Sequence, residues 1–217
     1  MSLTVAVHQP DLLPYSGVFY KLAKADLFDL RIYHQFLYTG YQRRVRMRDK
    51  WANVPTIKCP VDTSIREVKL VDPVASPQAL AATIVGRYSG APYFRTRGRE
   101  LIDKINSIHT EYLWQFNLEL LIYVRDLLGI RTPICVGPDS SGHKSTGIVD
   151  VLQVYGATTY LSGTGAKVYM GDCAEYTAAG IDVVWSPHKA VTGDSIVEVL
   201  LHYRDPLKIV LLAEGEG

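Results

Sequence analysis

The chain contains little cysteine, and its few cysteines are far apart. Three of the 217 residues are cysteines, Cys59, Cys135 and Cys173, and no two form a Cys-x-x-Cys pair. The six histidines are also dispersed, and none belongs to a His-Glu-x-x-His motif. A disulfide framework and a metal site built from these residues are therefore not expected.

Long apolar runs and an excess of charge of one sign are also missing. No stretch approaches the roughly 18 apolar residues that a membrane-spanning helix requires, and no signal peptide precedes Leu3. The formal net charge of +1 gives no reason to expect binding to nucleic acid or to a membrane surface. We expect a cytoplasmic protein in which residues 1–3 and 216–217 are cloning remnants.

The composition is that of an ordinary globular domain. Hydrophobic residues make up 47% of the chain and charged residues 21%, which suits one domain with a sizeable core. No internal repeat, low-complexity tract or linker divides the sequence. We therefore expect residues 1–217 to form a single domain.

Strand-like and helix-like segments alternate along much of the chain. Residues 3–7 form a near-continuous apolar run typical of a buried parallel strand. The apolar spacing over residues 15–25 is that of one helix face, and a second strand is predicted at 27–33. Later strands are predicted at 132–136, 158–161 and 181–185, and later helices at 146–155 and 195–202. This order predicts an α/β fold with a mostly parallel, Rossmann-like sheet and helices on both faces.

Two additions to this sheet are expected. Residues 54–60 and 65–71 are short strand candidates joined by a turn, and they predict a small antiparallel pair. Residues 76–89 are predicted to be helical, with Ser76 as N-cap and Pro77 at the first helical position. Ala91-Pro92 breaks the chain, residues 93–128 are predicted to be helical with an interruption near Ser107, and Gly129 is placed to end the last helix. The middle of the chain is therefore predicted to be a helical insertion.

The beginning of the chain is its most informative segment. The strand at 3–7 is followed by His8 and Gln9, then by a loop with Pro10 and Pro14, then by a helix. In an open α/β sheet such a loop lies at the carboxyl edge, where ligands bind and a helix N-terminus offers free N–H groups. His8 would titrate near neutral pH on that rim; the alternative is that it only hydrogen-bonds a turn.

Two later segments suit an anionic ligand. Ser162-Gly163-Thr164-Gly165 follows a strand and opens onto a helix, so its amides suit a phosphate or a developing oxyanion. It lacks the complete nucleotide-binding motifs, and an ordinary connector is the alternative. The basic run at 41–48 suits an anion clamp or a solvated surface, and strand alternation puts Arg44, Arg46 and Arg48 on one face.

Several segments, taken in order, form a recognisable pattern. They are His8-Gln9-Pro10, Leu13-Pro14-Tyr15, Gly17, Phe19, Lys21 and Ala25-Asp26, then His34-Gln35-Phe36, Tyr41-Gln42-Arg43-Arg44, the run 156–169 with Tyr160-Leu161-Ser162-Gly163, Gly165-Ala166 and Tyr169, and the run 194–201. Together they resemble the WbqC-like family of bacterial proteins over nearly the whole chain. Two departures are Arg43, where that family usually has asparagine, and the region of His188, which lacks its Tyr-x-Gln ending.

The resemblance implies a role in surface-polysaccharide or modified-sugar biosynthesis. The expected activity is a transferase that forms an amide, with an acyl or aminoacyl group such as glycyl, on an amino sugar or its nucleotide sugar. His8 is the expected proton acceptor, and Arg44 is expected to pair an anionic group. The other expected substrate-binding residues are Gln9, Tyr15, Gln35, Ser162, Gly163, Gly165 and Tyr169, with the amides at 162–165 holding an oxyanion.

Two other functions stay open. One is an ATP-dependent ligase or nucleotidyltransferase-like enzyme, because the strand–His–loop–helix entry has a fold-level likeness to nucleotidyltransferases with a His-x-Gly-His motif. Here Tyr15-Ser16-Gly17 stands where the second histidine of that motif would be. The other is a non-catalytic subunit that binds a sugar nucleotide. In each case we expect a small-molecule partner; the sequence does not identify a cofactor, the acyl donor, the sugar or the oligomeric state.

Overall fold

A computed structural model describes residues 2–140 and 145–214, apart from the side chains of residues 145 and 169. Of the predicted cloning remnants, residues 1, 216 and 217 lie outside this description. The described strands are β1 (Thr4–His8), β2 (Leu27–Leu30), β3 (Arg44–Met47), β4 (Lys50–Asn53), β5 (Ile134–Val136), β6 (Thr159–Ser162) and β7 (Asp182–Trp185). The described helices are α1 (Ser16–Lys24), α2 (Ala75–Tyr88), α3 (Arg99–Ser107), α4 (Leu113–Leu127), α5 (Ser145–Tyr155), α6 (Lys167–Met170), α7 (Ala174–Ala178), α8 (Ile196–His202) and α9 (Pro206–Val210).

Five parallel strands form the central sheet, in the order β5-β2-β1-β6-β7. In chain order, β2 pairs with one side of β1, and β5 then pairs with the outer side of β2. The chain then returns to the other side of β1 for β6 and β7. In open α/β sheets, ligands bind outside the carboxyl ends of the strands where the order reverses in this way. This switch point lies between β1 and β6, and the order confirms the predicted Rossmann-like sheet.

Neighbouring side chains of β1 face opposite layers of helices. Ala6 belongs to a buried cluster that includes Phe19 of α1. Val5 and Val7 belong to a second cluster that includes Leu152 of α5. Because successive strand residues point to opposite faces, a strand that is apolar throughout needs cover on both sides. The predicted helices on both faces are thereby confirmed.

The small antiparallel pair is present, but its predicted location was wrong. The pair is the β3–β4 hairpin, whereas residues 54–60 and 65–71 meet at an isolated bridge between Thr56 and Leu70. Val45 and Met47 of β3 are buried and alternate with arginines on the outer face. Only two apolar residues alternate with the arginines in this strand. Such a short alternation is not recognisable as a strand pattern, and the charges instead suggested a basic surface.

The turn of this hairpin also corrects one prediction about the arginines. Arg44 and Arg46 lie within β3, two residues apart, and share its outer face as predicted. Arg48 and Asp49 form the two-residue turn, with φ of 49° and 60°. These values lie in the left-handed region that twisted two-residue hairpin turns require. Arg48 therefore leaves the strand and does not continue the row of Arg44 and Arg46.

The helical insertion is confirmed and consists of α2, α3 and α4. The break before α4 lies just after Ser107, and Gly129 follows α4 with a φ of 73°, as a helix-ending glycine does. Helix α2 begins at Ala75 and not at Pro77, because the carboxylate of Asp72 accepts hydrogen bonds from the first free amides. None of the described helices combines the length and apolar character needed to cross a bilayer.

Candidate functional site

β1 and β6 end side by side at the switch point. His8 is the last residue of β1 and Ser162 the last residue of β6, and the parallel register pairs Ala6 with Leu161. The loop that follows β1 and the loop at 162–165 therefore lie at the same edge of the sheet. This edge brings together the two segments that the sequence singled out most strongly.

A cavity of about 380 Å³ lies beside His8. It is lined by His8, Asp11, Leu12, Pro14, Tyr15, Tyr41, Val45 and Gly193. Its volume lies in the range of small-molecule sites, and most of its wall is apolar or aromatic, with one imidazole and one carboxylate. Of the residues predicted for the site, His8 and Tyr15 line this cavity.

His8 stands between a carboxylate and a buried ammonium group. Its Nε2 lies 3.2 Å from Oδ2 of Asp11, and its Nδ1 lies 3.3 Å from Nζ of Lys21. Lys21 comes from α1, is 6% exposed, and also donates to the carbonyl of Val7 at 3.2 Å. A charged lysine can only donate, so Nδ1 accepts and the neutral imidazole carries its proton on Nε2, toward Asp11.

The surroundings lower the pKa of both basic groups. Burial lowers the pKa of Lys21 from 10.5 to about 8, and the charge of Asp11 opposes this change. Burial, and then the charge of Lys21, lower the pKa of His8 below 6.5, again against the effect of Asp11. At neutral pH His8 is therefore uncharged while most Lys21 is charged, and the proton on Nε2 is the prevailing one.

The polar network continues from Asp11 to three further side chains. Gln42 donates through Nε2 to Oδ1 of Asp11 at 3.3 Å and also to Oε1 of Gln9. Gln9 lies 3.3 Å from Nδ1 of His34 through its own Nε2. Gln9 was predicted to orient substrate, and the structure places its amide in contacts within the protein. Those contacts hold the loop after β1 against the segments around His34 and Gln42.

Asn117 of α4 supports this network through two hydrogen bonds. It is 1% exposed, and its Nδ2 donates to the carbonyls of Pro10 at 2.6 Å and of Gln42 at 2.7 Å. Pro10 directly precedes Asp11, and Gln42 donates to the carboxylate of Asp11. A single amide group therefore positions both the backbone and a side-chain partner of Asp11.

Tyr15 forms one wall of the cavity and is held from two sides. A Cβ at Gly17 would lie 2.5 Å from Cε2 of Tyr15, so glycine at this position gives the ring its space. The ring of His188 is centred 6.3 Å from that of Tyr15, and its Nε2 lies 2.9 Å from Oγ of Ser16. Since Nδ1 of His188 faces the carbonyl of Leu212 at 3.1 Å, it donates there, and Nε2 accepts from the Ser16 hydroxyl.

Of the predicted substrate-binding residues whose side chains are described, only Tyr15 lines this cavity; Arg44 and Gln35 are two of those that do not. Arg44 places its guanidinium carbon 4.1 Å from the ring centroid of Trp51, on the outer face of the hairpin. Its neighbour Val45 does line the cavity. Gln35 is exposed and donates to the carbonyl of Val61 at 2.6 Å, and Val61 lines a separate cavity. The structure thus brings Arg44 near the site but does not bring Gln35 to His8.

The loop after β6 offers backbone groups more than side chains. Ser162 is 1% exposed, so its hydroxyl is not presented to solvent. Gly163 and Gly165 are more open and lead through a 3₁₀ turn, Thr164–Ala166, whose first amides have no acceptor within the turn. Tyr169 lies in α6, and its side chain is outside the described part of the structure.

Three residues of the site, Asp11, Lys21 and Gln42, were missed as functional candidates. Asp11 stands three residues after His8 in one short loop, a spacing that could have indicated a charged pair. Lys21 stands three residues after Val18, on the apolar face of the predicted helix, which could have indicated a buried amine. Gln42 belongs to the family pattern, but its arginine neighbours drew attention to the charges of the run 41–48 and not to its amide.

Among the described residues, no three histidine, cysteine or acidic side chains are grouped so that they could hold a metal ion.

A family model described as the WbqC-like protein family matches residues 9–192. The match begins one residue after His8 and includes the loop after β1, the hairpin, the helical insertion and the loop after β6. No curated protein and no solved structure matches the chain. Because the family model covers most of its length, the chain belongs to the WbqC-like protein family.

Proposed function

We propose that the protein transfers an acyl or aminoacyl group, such as glycyl, to the amine of an amino sugar or nucleotide-linked amino sugar. Membership of the WbqC-like family is consistent with a protein of sugar biosynthesis and supports this class of substrate. The observation on which the proposal rests is His8 at the cavity, between Asp11 and the buried Lys21. Such a group can accept the proton that an amine gives up when it forms an amide.

The reaction requires one proton acceptor. The amine nitrogen attacks the acyl carbon, a C–N bond forms, the bond from that carbon to the leaving group of the donor breaks, and the nitrogen loses a proton. We assign this proton to Nε2 of His8. The imidazole must then hold its own proton on Nδ1, and this N–H donates a hydrogen bond to an uncharged Lys21, whose Nζ lies 3.3 Å away.

Lys21 consequently decides when His8 acts as a base. A charged Lys21 donates to Nδ1, which leaves the proton of the neutral imidazole on Nε2. An uncharged Lys21 accepts from Nδ1, and the lone pair of Nε2 is then free for the amine. Since the pKa of Lys21 is about 8, the uncharged form is accessible close to neutral pH. Asp11, 3.2 Å from Nε2, then orients the amine by accepting its second hydrogen.

Other parts of the site have roles that follow from their positions. Tyr15 and Tyr41 give the cavity aromatic walls against which the apolar face of a sugar ring is able to pack. The amides of Gly163 and Gly165 are the proposed donors to the oxyanion, since their loop shares the sheet edge with His8. Arg44 is the proposed partner of an anionic group of the substrate.

The test is a search for amide product by mass spectrometry. The purified protein is given a nucleotide-linked amino sugar with a panel of acyl thioesters and activated amino acids. We expect product with at least one donor, and a fall in turnover of about 10²–10⁴ in His8→Gln and in Asp11→Asn. His109→Gln, which changes an exposed histidine elsewhere, is the matched control. Absence of product with every donor, or a His8→Gln variant as active as the control, contradicts the proposal.

An ATP-dependent ligase is the second candidate, because a sheet with its switch point beside the first strand is common in nucleotide-binding proteins. The same assay separates the two enzymes. A transferase forms product without ATP, whereas a ligase forms it only with ATP and releases pyrophosphate and AMP, or phosphate and ADP. Binding of the sugar nucleotide without product under any condition favours the non-catalytic subunit.

A further inference from the structure

Two large aromatic rings lie exposed next to the cavity. Tyr41 is 54% exposed and Trp51 is 44% exposed, and their ring centroids are 5.7 Å apart. The inner face of the same hairpin is well filled, since Val45, Met47 and Ala52 are buried. The two rings, which we call the Tyr41–Trp51 platform, therefore leave π surface in contact with water. Flat, unsaturated ligands stack on such surfaces.

Arg44 adds a positive charge to the platform. Its guanidinium carbon lies 4.1 Å from the ring centroid of Trp51, and its Nε is buried without a hydrogen-bond partner. Within the described residues Arg44 has no carboxylate partner, whereas Arg46 on the same face pairs with Asp49 and Asp194. A planar guanidinium that lies over an aromatic ring and forms no ion pair among the described residues suits a phosphate group.

The platform is continuous with the cavity that contains His8. Tyr41 belongs to both, because it lines the cavity and contacts Trp51. The carbonyl of Tyr41 accepts a hydrogen bond of 2.9 Å from the amide of Leu12, which ties the platform to the loop after β1. A molecule that stacks on Tyr41 is therefore at the edge of the cavity.

We infer that the platform and Arg44 form the binding site of a nucleoside diphosphate. The planes of the two rings are inclined at 51°, so the base stacks on one ring and contacts the edge of the other, with the diphosphate on Arg44. The inference rests on the proposed function, because it assigns a place to the nucleotide portion of a nucleotide-linked amino sugar. The sugar attached to the diphosphate then extends into the cavity toward His8. A nucleoside diphosphate has both a base that stacks on the rings and a negative charge that pairs with Arg44. A neutral sugar has no negative charge to pair with Arg44.

Uridine diphosphate, uridine and inorganic pyrophosphate are the probes for this site. Calorimetry gives their affinities, and tryptophan fluorescence reports on stacking. We expect uridine diphosphate to quench part of the fluorescence, and Trp51→Phe to abolish that quenching while Trp114 and Trp185 continue to emit. Tyr41→Leu and Trp51→Leu are each expected to lower the affinity for uridine diphosphate about tenfold and to leave the affinity for pyrophosphate unchanged.

Substitution of Arg44 tests the other half of the site. Arg44→Gln is expected to weaken uridine diphosphate and pyrophosphate about tenfold while leaving uridine unaffected. Arg44→Lys should also lose affinity, because lysine cannot reproduce the two-pronged contact. Arg66→Gln is the matched control, since Arg66 also stacks on an aromatic ring, that of Tyr33 at 5.3 Å, away from this cavity. It is expected to bind all three probes as the wild type does.

The inference is overturned if uridine diphosphate does not bind, binds no better than pyrophosphate, or binds equally well to the Tyr41, Trp51 and Arg44 variants. These outcomes differ from a failure of the proposed function. If uridine diphosphate binds as expected but no amide is formed, the nucleotide site stands and the transferase proposal falls. If amide formation depends on His8 and Asp11 but uridine diphosphate does not bind, the transferase stands and its sugar carries no nucleotide.

Discussion

Lys21 is held in the interior with its ammonium group against a histidine and a backbone carbonyl. The difference between its ordinary pKa of 10.5 and a pKa of about 8 corresponds to about 3 kcal/mol of stability that the charged form costs at neutral pH. A lysine on the surface has no such cost. Strongly altered pKa values of this kind concentrate at functional sites, and here the altered group contacts His8 at the cavity.

The first prediction concerns the pH dependence of activity. If Lys21 decides the tautomer of His8, turnover rises with pH through about 8, the pKa of Lys21, and not through the lower pKa of His8. Lys21→Met removes the charge and keeps an unbranched chain. The rise in kcat/KM is then expected to move to lower pH, toward the pKa of His8. A pH profile that is the same in both proteins shows that Lys21 does not control the base.

The second prediction concerns stability and does not depend on any activity. Because the pKa of Lys21 is lowered on folding, the unfolded chain binds more protons than the folded chain between pH 8 and 10.5. Stability therefore rises with pH across that window. We expect urea unfolding to show a wild-type gain of about 3 kcal/mol relative to Lys21→Met between pH 7 and pH 10.5. If the difference in the free energy of unfolding between the wild type and Lys21→Met does not change with pH, Lys21 is solvated in the folded protein.

Single residues show where reading the sequence succeeds. His8 could be predicted for the site because it ends a strand and precedes a helix, and this position alone puts it at the edge where ligands bind. The apolar face of the predicted helix could have indicated that Lys21 is buried, but its contact with Nδ1 of His8 depends on α1 lying against β1, which no local pattern predicts. Gln35 comes several residues after the end of β2, and its amide donates to the carbonyl of Val61 in another loop.

Helix α1 gives the cavity one wall through its first turn. Tyr15 precedes the helix, and its ring lies over the backbone at Gly17. Alanine is about 1 kcal/mol more favourable than glycine within a helix. However, the Cβ of an alanine at position 17 would lie 2.5 Å from the ring of Tyr15, so this ring, whose residue is 41% exposed, would have to give up its contacts and move outward.

The third prediction follows from this geometry. Gly17→Ala is expected to keep the stability of the wild type and to raise KM for the acceptor about tenfold, because the cavity loses its tyrosine wall. Tyr15→Leu should raise KM similarly. Gly86→Ala in α2 is the matched control, since a Cβ there meets nothing within 4 Å. It should gain about 1 kcal/mol without a change in kinetics. A KM in Gly17→Ala equal to that of the control would exclude a role for Tyr15.

Elements were predictable where their apolar residues follow a clear pattern. The strands of the sheet and the long helices have clear patterns, and the structure confirms their order. The β3–β4 hairpin was missed because half of the residues in β3 are arginines and Ala52 alone is buried in β4. Helix α9 was missed because five residues show no period, although Asp205 caps it and Pro206 begins it, a recognisable start signal.

The site as a whole is assembled from distant parts of the chain. The loop after β1 meets Tyr41, Val45 and Gly193 at the cavity, and the loop after β6 lies along the same edge. Alternating strands and helices predict that such an edge exists. Which strands become neighbours depends on packing between residues more than a hundred positions apart, and this is why the cavity wall could not be predicted from spacing.

The helical insertion takes part in this assembly through Asn117. Its amide donates to the carbonyls of Pro10 and Gln42, which are buried with it under the loop after β1. A buried carbonyl that loses its donor costs about 1–3 kcal/mol. The insertion therefore contacts the site through directional hydrogen bonds, in addition to the apolar packing of α4.

The last prediction tests whether α4 positions the site. Asn117→Ala is expected to lose about 2–4 kcal/mol of stability and to change the pKa of His8, measured by NMR, because Asp11 loses its support. Asn117→Ser keeps one donor and should fall between this variant and the wild type. Asn106→Ala, an exposed change in α3, is the control. If Asn117→Ser is destabilised but the pKa of His8 stays that of the wild type, Asn117 supports the fold alone. A shift in that pKa shows that the insertion sets the distance between Asp11 and His8, on which the proposed base depends.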